Sequence, residues 1–224
     1  MHVISKRLVR LIFAGVLVTG VIAAPTLLAA GTAQATACGT AVPAGSSCTL
    51  TGTVAITAGS LTLTSPSSLS WSTTNTGVDQ QLVDPGAGDQ QYTVNDATGS
   101  SAGWHVTAAA TTFTNGSSTF ANTGTISTNG SLTSITSTST PSATCTGTCT
   151  LPSNSTTYPA AIVTAATSPT PSTIYDNALN SGLGQVVIGG SASANPVGWW
   201  VNVPARAVAG SYTSTVTLEI ISGP

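Results

Sequence analysis

Along most of the chain, apolar and hydroxyl-bearing residues alternate with a period of two, the spacing that sends successive side chains to opposite faces of a β-strand. Thr53-Val-Ala-Ile-Thr57, Leu61-Thr-Leu63, Leu69-Ser-Trp71, Tyr92-Thr-Val94 and Trp104-His-Val106 read as strands in the first half. Leu132 with Ile135, Ala161-Ile-Val163, Val186-Val-Ile188, Trp200-Val-Asn-Val203 and the run from Tyr212 to Ile220 continue the series. Threonine and β-branched residues fill these runs, as a pleated, half-buried surface favours. Between them lie clusters with turn chemistry: Asp84-Pro-Gly-Ala-Gly-Asp89, Asn115-Gly-Ser117, Asn129-Gly-Ser131 and Ser168-Pro-Thr-Pro-Ser172. Many short strands with frequent turns predict an all-β fold, a single β-sandwich-like domain. The Ser/Thr/Pro-rich stretch at 137–159 is expected to be a long loop off the sheet.

The beginning of the chain breaks this pattern. Lys6, Arg7 and Arg10 precede the apolar run Leu11 to Ala24, and the small-residue site Ala33-Gln-Ala35 follows. A basic start, an apolar middle and an A-x-A site make an export signal, and Leu11 to Ala24 is shorter than the ~20 residues of a spanning helix. The expected organisation is a signal peptide at 1–35, a cysteine-bearing leader at 36–48 and the sandwich at 49–224. Cys38 is a poor lipid-attachment site, because Ala35-Thr-Ala-Cys38 lacks a large aliphatic residue three places before the cysteine.

Removing the signal changes the charge. Of 4 Lys+Arg only Arg206 remains, against six acids, Asp79, Asp84, Asp89, Asp96, Asp176 and Glu219, a balance of −5. One arginine cannot neutralise a run of phosphates, which excludes nucleic acid, and it gives acidic membranes nothing to hold. With 41% hydrophobic residues the chain can still build a packed core. Its surface, rich in Ser, Thr, Gly and Asn, suits a neutral, hydrogen-bonding partner.

The four cysteines form two close pairs, Cys38 with Cys48 and Cys145 with Cys149. Export makes disulfides the natural reading, and local pairing is the simplest connectivity. Zinc is the competing reading, but His105 is the only other soft ligand nearby in type and no second ligand set exists, so neither a metal nor a cofactor is expected. Asp79, Asp84 and Asp89 recur at even spacing, yet the loop lacks the dense oxygen ligands of a calcium site, so they are expected to be solvated loop acids. Asp96 is expected to cap a turn. An enzyme would need a nucleophile with a base or paired carboxylates on separate strands, and four of the six acids fall between Asp79 and Asp96, so no catalysis is expected.

Tryptophans carry the remaining chemistry. Trp104 and Val106 share a strand face, which favours a core position over a glycan platform, and His105 then faces the other way. Trp199 and Trp200 are adjacent, so one should face in and the other out. The outward one, expected to be Trp200, is the best candidate for stacking on a saccharide.

Two longer frames connect these segments. Asp96-Ala-Thr-Gly-Ser-Ser-Ala-Gly-Trp104 and Pro204-Ala-Arg-Ala-Val-Ala-Gly-Ser-Tyr212 resemble the patterns Asp-x-x-Gly-x-x-Ala-Gly-Trp and Pro-Ala-x-x-x-x-Gly-x-Tyr of the WxL-domain family of bacterial cell-surface proteins. The resemblance runs from about Thr49 to Pro224 and implies an all-β domain on a secreted protein, held non-covalently on the cell wall through peptidoglycan. The alternative is a structural or adhesive surface protein that binds partner proteins rather than glycan. The two name-giving motifs depart from the family pattern: Trp104-His-Val106 has Val for Leu, and Val216-Thr-Leu218 has Val for Trp. The resemblance makes Trp104, Val106, Val216 and Leu218 the motif positions, while the tryptophan placement above leaves Trp104, Trp199 and Trp200 as the ligand candidates.

Overall fold

The computed structural model describes residues 36–120 and 126–224. The export signal expected at 1–35 lies outside the described residues. The chain divides between Ala55 and Ile56 into two compact units. In the first, β1 (Thr36–Ala37) pairs in parallel with β2 (Cys48–Thr49), and a disulfide joins Cys38 to Cys48. The Cys38 amide donates to the Thr49 carbonyl at 3.0 Å, so the leader is a small closed clip.

The second unit is built from three sheets around one core. Its strands are β3 (Leu61–Thr64), β4 (Gln80–Val83), β5 (Gln91–Asp96), β6 (Trp104–Thr111), β7 (Ile126–Asn129) and β8 (Ala143–Cys145). They continue with β9 (Ala160–Ile162), β10 (Thr164–Ala165), β11 (Ser172–Asn177), β12 (Gly184–Gly189), β13 (Gly198–Val203) and β14 (Val216–Ser222). One antiparallel sheet runs β3-β5-β12-β8 and another β4-β13-β7-β9. In the third, β6 pairs on one side with β14 and on the other with β11, with β10 parallel to its end. Among the described residues the helical elements amount to a single 3-10 turn, Ala87–Asp89. The unit is therefore all-β and sandwich-like, as the alternation predicts.

The strand β6 is central and loses its alternation: Thr107 to Ala110 are all buried. Three consecutive alanines fit there because small side chains let layers approach on both faces. Beside it, β11 carries a bulge between Thr173 and Tyr175, which puts Ile174 and Tyr175 both into the interior. Tyr175 stacks on Trp104 at 6.1 Å between ring centroids and meets Tyr92 edge-on at 6.3 Å. Gly103, which precedes Trp104, has φ +77°, and a Cβ there would stand 2.5 Å from the Asn177 carbonyl oxygen. The glycine in the Ala-Gly-Trp frame is thus a steric requirement of the β6–β11 approach.

Several expected strands are not strands. Among the described residues, 50–60 form no strand, Leu69-Ser-Trp71 is irregular, and Leu132 and Ile135 sit in a bend and a turn. The stretch at 137–159 is only partly a loop. It contains β8, whose Thr144 lies opposite Val187 and whose Cys145 is joined to Cys149.

Candidate functional site

A cleft of about 800 Å³ opens between β4, β13 and β14. Leu82 of β4, Val201 and Val203 of β13, and Val216 and Leu218 of β14 form its apolar walls. Residues 66–73 make one lip and residues 207–214 the other. Among the described residues, no charged side chain lines it.

Four aromatic rings from separate stretches of sequence meet along this cleft. Trp71 contacts Phe113 edge-on at 5.9 Å, Phe113 lies 5.5 Å from Phe120, and Phe120 lies 4.4 Å from Tyr212. The two phenylalanines are buried, whereas Trp71 and Tyr212 at the ends are half-buried. Each end ring is fixed by its polar atom: Trp71 Nε1 donates to the Trp199 carbonyl at 3.1 Å, and the Tyr212 hydroxyl to the Val208 carbonyl at 3.0 Å. The rings are therefore held in place while part of each remains open to a ligand.

The lips are tied by amide and carboxylate groups. Asn75 Nδ2 donates to the Ala207 carbonyl at 2.8 Å, and Asp79 accepts the Ala205 amide at 2.7 Å. Gln80 Nε2 donates to the Thr73 hydroxyl at 2.9 Å. The Pro204-to-Tyr212 frame of the sequence is thus the second lip, fastened to the first.

Asp84 corrects the expectation of three solvated acids. It is 1% exposed, accepts the Gly86 amide at 2.7 Å through one oxygen and receives the Ser70 amide on the other. Its own amide donates to the Trp199 carbonyl at 2.8 Å. A buried carboxylate is sustained by such donors, and this one holds the residue before Trp71. Asp89 is half-buried nearby, and burial together with the Asp84 charge holds its carboxyl above the usual value. Asp96 does cap a turn, its Oδ1 accepting the Thr98 amide at 3.0 Å and the Thr98 hydroxyl at 2.7 Å.

The tryptophans named from the sequence lie elsewhere. Trp104 is fully buried, with Nε1 donating to the Gly182 carbonyl at 3.1 Å, and Val106 is buried beside it. Trp199 is buried too, with Nε1 bonded to the Asp89 carbonyl at 2.9 Å, although it forms part of the cleft floor. Trp200 does not face out. It is 5% exposed, and Nε1 donates to Asn129 Oδ1 at 3.1 Å and the Ser131 carbonyl at 3.0 Å. The alternation rule fails here because β13 at Trp199 and Trp200, like its neighbour β7, is covered on both faces. Asn129 donates to the carbonyls of Ser134 and Ile135, folding that turn around the indole. Of the four tryptophans, Trp71 alone is half-buried, and the signal for it was only that its Leu69-Ser-Trp71 triplet lies between Ser/Thr-rich stretches.

The motif positions divide accordingly. In the β6–β14 ladder Val106 lies opposite Ile220 and Val216 opposite Ala110, so the two motif segments are neighbouring strands. Trp104 and Val106 belong to the core; Val216 and Leu218 line the cleft.

A second hollow, of about 520 Å³, lies by His105 and Asp176. His105 Nδ1 is 2.6 Å from the Gly223 carbonyl. Asp176 accepts the backbone and hydroxyl donors of both Ser155 and Thr156. Burial works to raise its pKa, but these hydrogen bonds together outweigh that and hold it below the usual value. Its oxygens are committed to ordering the 154–156 segment. Among the described residues, no group of three or more His, Cys, Asp or Glu is placed to hold a metal ion. Compared with known protein families, with characterised proteins and with solved structures, the chain matches none.

Proposed function

We propose that this chain is an exported surface domain that associates non-covalently with the bacterial cell wall, its cleft seating a stretch of peptidoglycan glycan. The observation that carries the reading is the cleft itself: a charge-free groove, edged by hydroxyl and amide side chains, with the rings of Trp71 and Tyr212 half open along it. A sugar chain presents apolar ring faces and hydroxyl edges, and aromatic faces beside neutral donors and acceptors complement both. The resemblance of the Asp96-to-Trp104 and Pro204-to-Tyr212 frames to the WxL-domain pattern supports the same reading, since the second frame is a lip of this cleft.

The test is to mix the secreted protein with insoluble purified peptidoglycan and centrifuge. The protein should pellet, and because no charged side chain among the described residues lines the cleft, the bound fraction should change little between low and high salt. Protein that stays in the supernatant, or that pellets only at low salt, contradicts the reading.

A further inference from the structure

Residues 50–56 have a strand's sequence without a strand's partner. Leu50, Val54 and Ile56 fall on one side of the alternation, Thr51, Thr53 and Ala55 on the other, and Gly52 leaves a gap in the apolar row. The segment forms no helix, turn or strand and pairs with no strand among the described residues, and its apolar side chains are 84%, 84% and 88% exposed. Three large aliphatic groups standing in water on a β-patterned segment form an adhesive surface. No charged residue interrupts the chain anywhere from 36 to 78.

The molecule also has a free edge that matches it. Among the described residues, β14 pairs with β6 alone and forms no ladder on its second edge, although β3 lies close to it. Its side chains alternate: Val216, Leu218 and Ile220 are half-buried, while Thr217 and Glu219 are exposed. The segment 50–56 has the same length and the same alternation. Laid along β14 with Leu50 beside Val216, Gly52 falls beside Leu218 and Val54 beside Ile220, which extends the apolar layer at the cleft mouth and places Thr51 beside Thr217.

We propose that residues 50–56 of one copy add as a strand to the free edge of β14 in a second copy, joining exported molecules through backbone hydrogen bonds. The chain around the segment suits a donor. Just before it, the Cys38–Cys48 disulfide closes the leader clip. Just after it, the Gly59 amide donates to the Ala97 carbonyl at 2.8 Å and the Ala97 amide to the Ser60 carbonyl at 3.2 Å, fixing the chain at the end of β5. The flank on the sandwich side is held, so less freedom is lost when the segment is ordered. Because the added strand borders the cleft, an engaged β14 edge narrows access for glycan. That consequence rests on the wall-binding reading; the strand addition does not.

The test is light scattering of the secreted protein over a concentration series, beside Val54→Asp and Ile56→Asp. The wild type should associate as concentration rises, and the amides of residues 50–56 and 216–222 should become protected from hydrogen exchange together. Either aspartate should leave a monomer with an unchanged melting temperature, since both side chains are exposed in the monomer. A wild type that is monomeric throughout overturns the proposal, as do aspartate variants that associate equally well. Pelleting with peptidoglycan is a separate readout: variants that fail to associate but still pellet leave the wall-binding reading intact, and the reverse result leaves strand addition intact.

Discussion

The indole of Trp71 donates to the main-chain oxygen of Trp199, the same oxygen that receives the amide of Asp84. One carbonyl on β13 therefore fixes both the half-open ring of the cleft and the buried acid beneath its lip. Since Asp84 also accepts the Ser70 amide, the position of Trp71 is set by two connected bonds rather than by packing alone. Replacing Asp84 with Ala should leave the Ser70 and Gly86 amides without their acceptor and cost about 1–3 kcal/mol. Urea denaturation measures the cost, and it should be accompanied by a shift of tryptophan emission to the red as Trp71 gains water.

Trp200→Ala should be a stability variant. The ring is buried and bonded to Asn129 and Ser131, so its removal leaves a cavity and takes one of two donors from Asn129 Oδ1, which keeps the Ser131 amide. A loss of about 3–5 kcal/mol is expected by denaturant titration, with peptidoglycan pelleting unchanged at temperatures where the variant is folded.

Gly103→Ala should be costly despite its single methyl group. The position combines φ +77° with a Cβ that would stand 2.5 Å from the Asn177 carbonyl. The strained backbone alone costs about 1 kcal/mol or more, and the contact adds to it, so the melting temperature should fall by several degrees. Gly99→Ala is the control: it has φ +67° but nothing within 4 Å, so it should show the strain without the clash.

Asp176 sets an acid-side dependence. Its folded-state pKa lies below the ordinary value, so its contribution is fully present above the unfolded carboxylate pKa and is lost as pH falls through the folded one. The stability gap between wild type and Asp176→Asn should therefore be largest near neutrality and shrink toward acid. Asp89 shifts in the opposite direction. It is present in both proteins, so the difference between their denaturation midpoints at each pH isolates Asp176.

What the sequence carried and what it withheld follow from how local the physics is. Period-two alternation marked β5 and β12, because each buries one face on the core and the pattern records it; it found β6 and β13 too, although both are buried on both faces. It marked 53–57 equally well, since alternation reports a strand's readiness to pair and not the presence of a partner. Trp200 was misplaced for a related reason: a strand covered on both faces has no outer side, and the cover comes from the 131–135 turn, which nothing in the Trp199-Trp200 dipeptide announces. Asp84 looked like a loop acid because its donors, Ser70 and Gly86, become a pocket only when the chain crosses β4. The cysteine pairs were legible as nearest neighbours, and the disulfides do join Cys38 to Cys48 and Cys145 to Cys149. The cleft was the least legible element. Its aromatic row draws on Trp71, Phe113, Phe120 and Tyr212, four residues with no shared motif, brought together by the β4, β13 and β14 arrangement.

The most direct measurement is the fraction of protein pelleted by insoluble peptidoglycan for the wild type, Trp71→Ala and Trp200→Ala, taken well below every melting temperature. Loss of a stacking ring from the cleft should weaken Trp71→Ala by roughly tenfold or more in apparent affinity, while Trp200→Ala, though less stable, binds like the wild type. Equal binding by Trp71→Ala and the wild type, or a loss confined to Trp200→Ala, would contradict a glycan seat in this cleft.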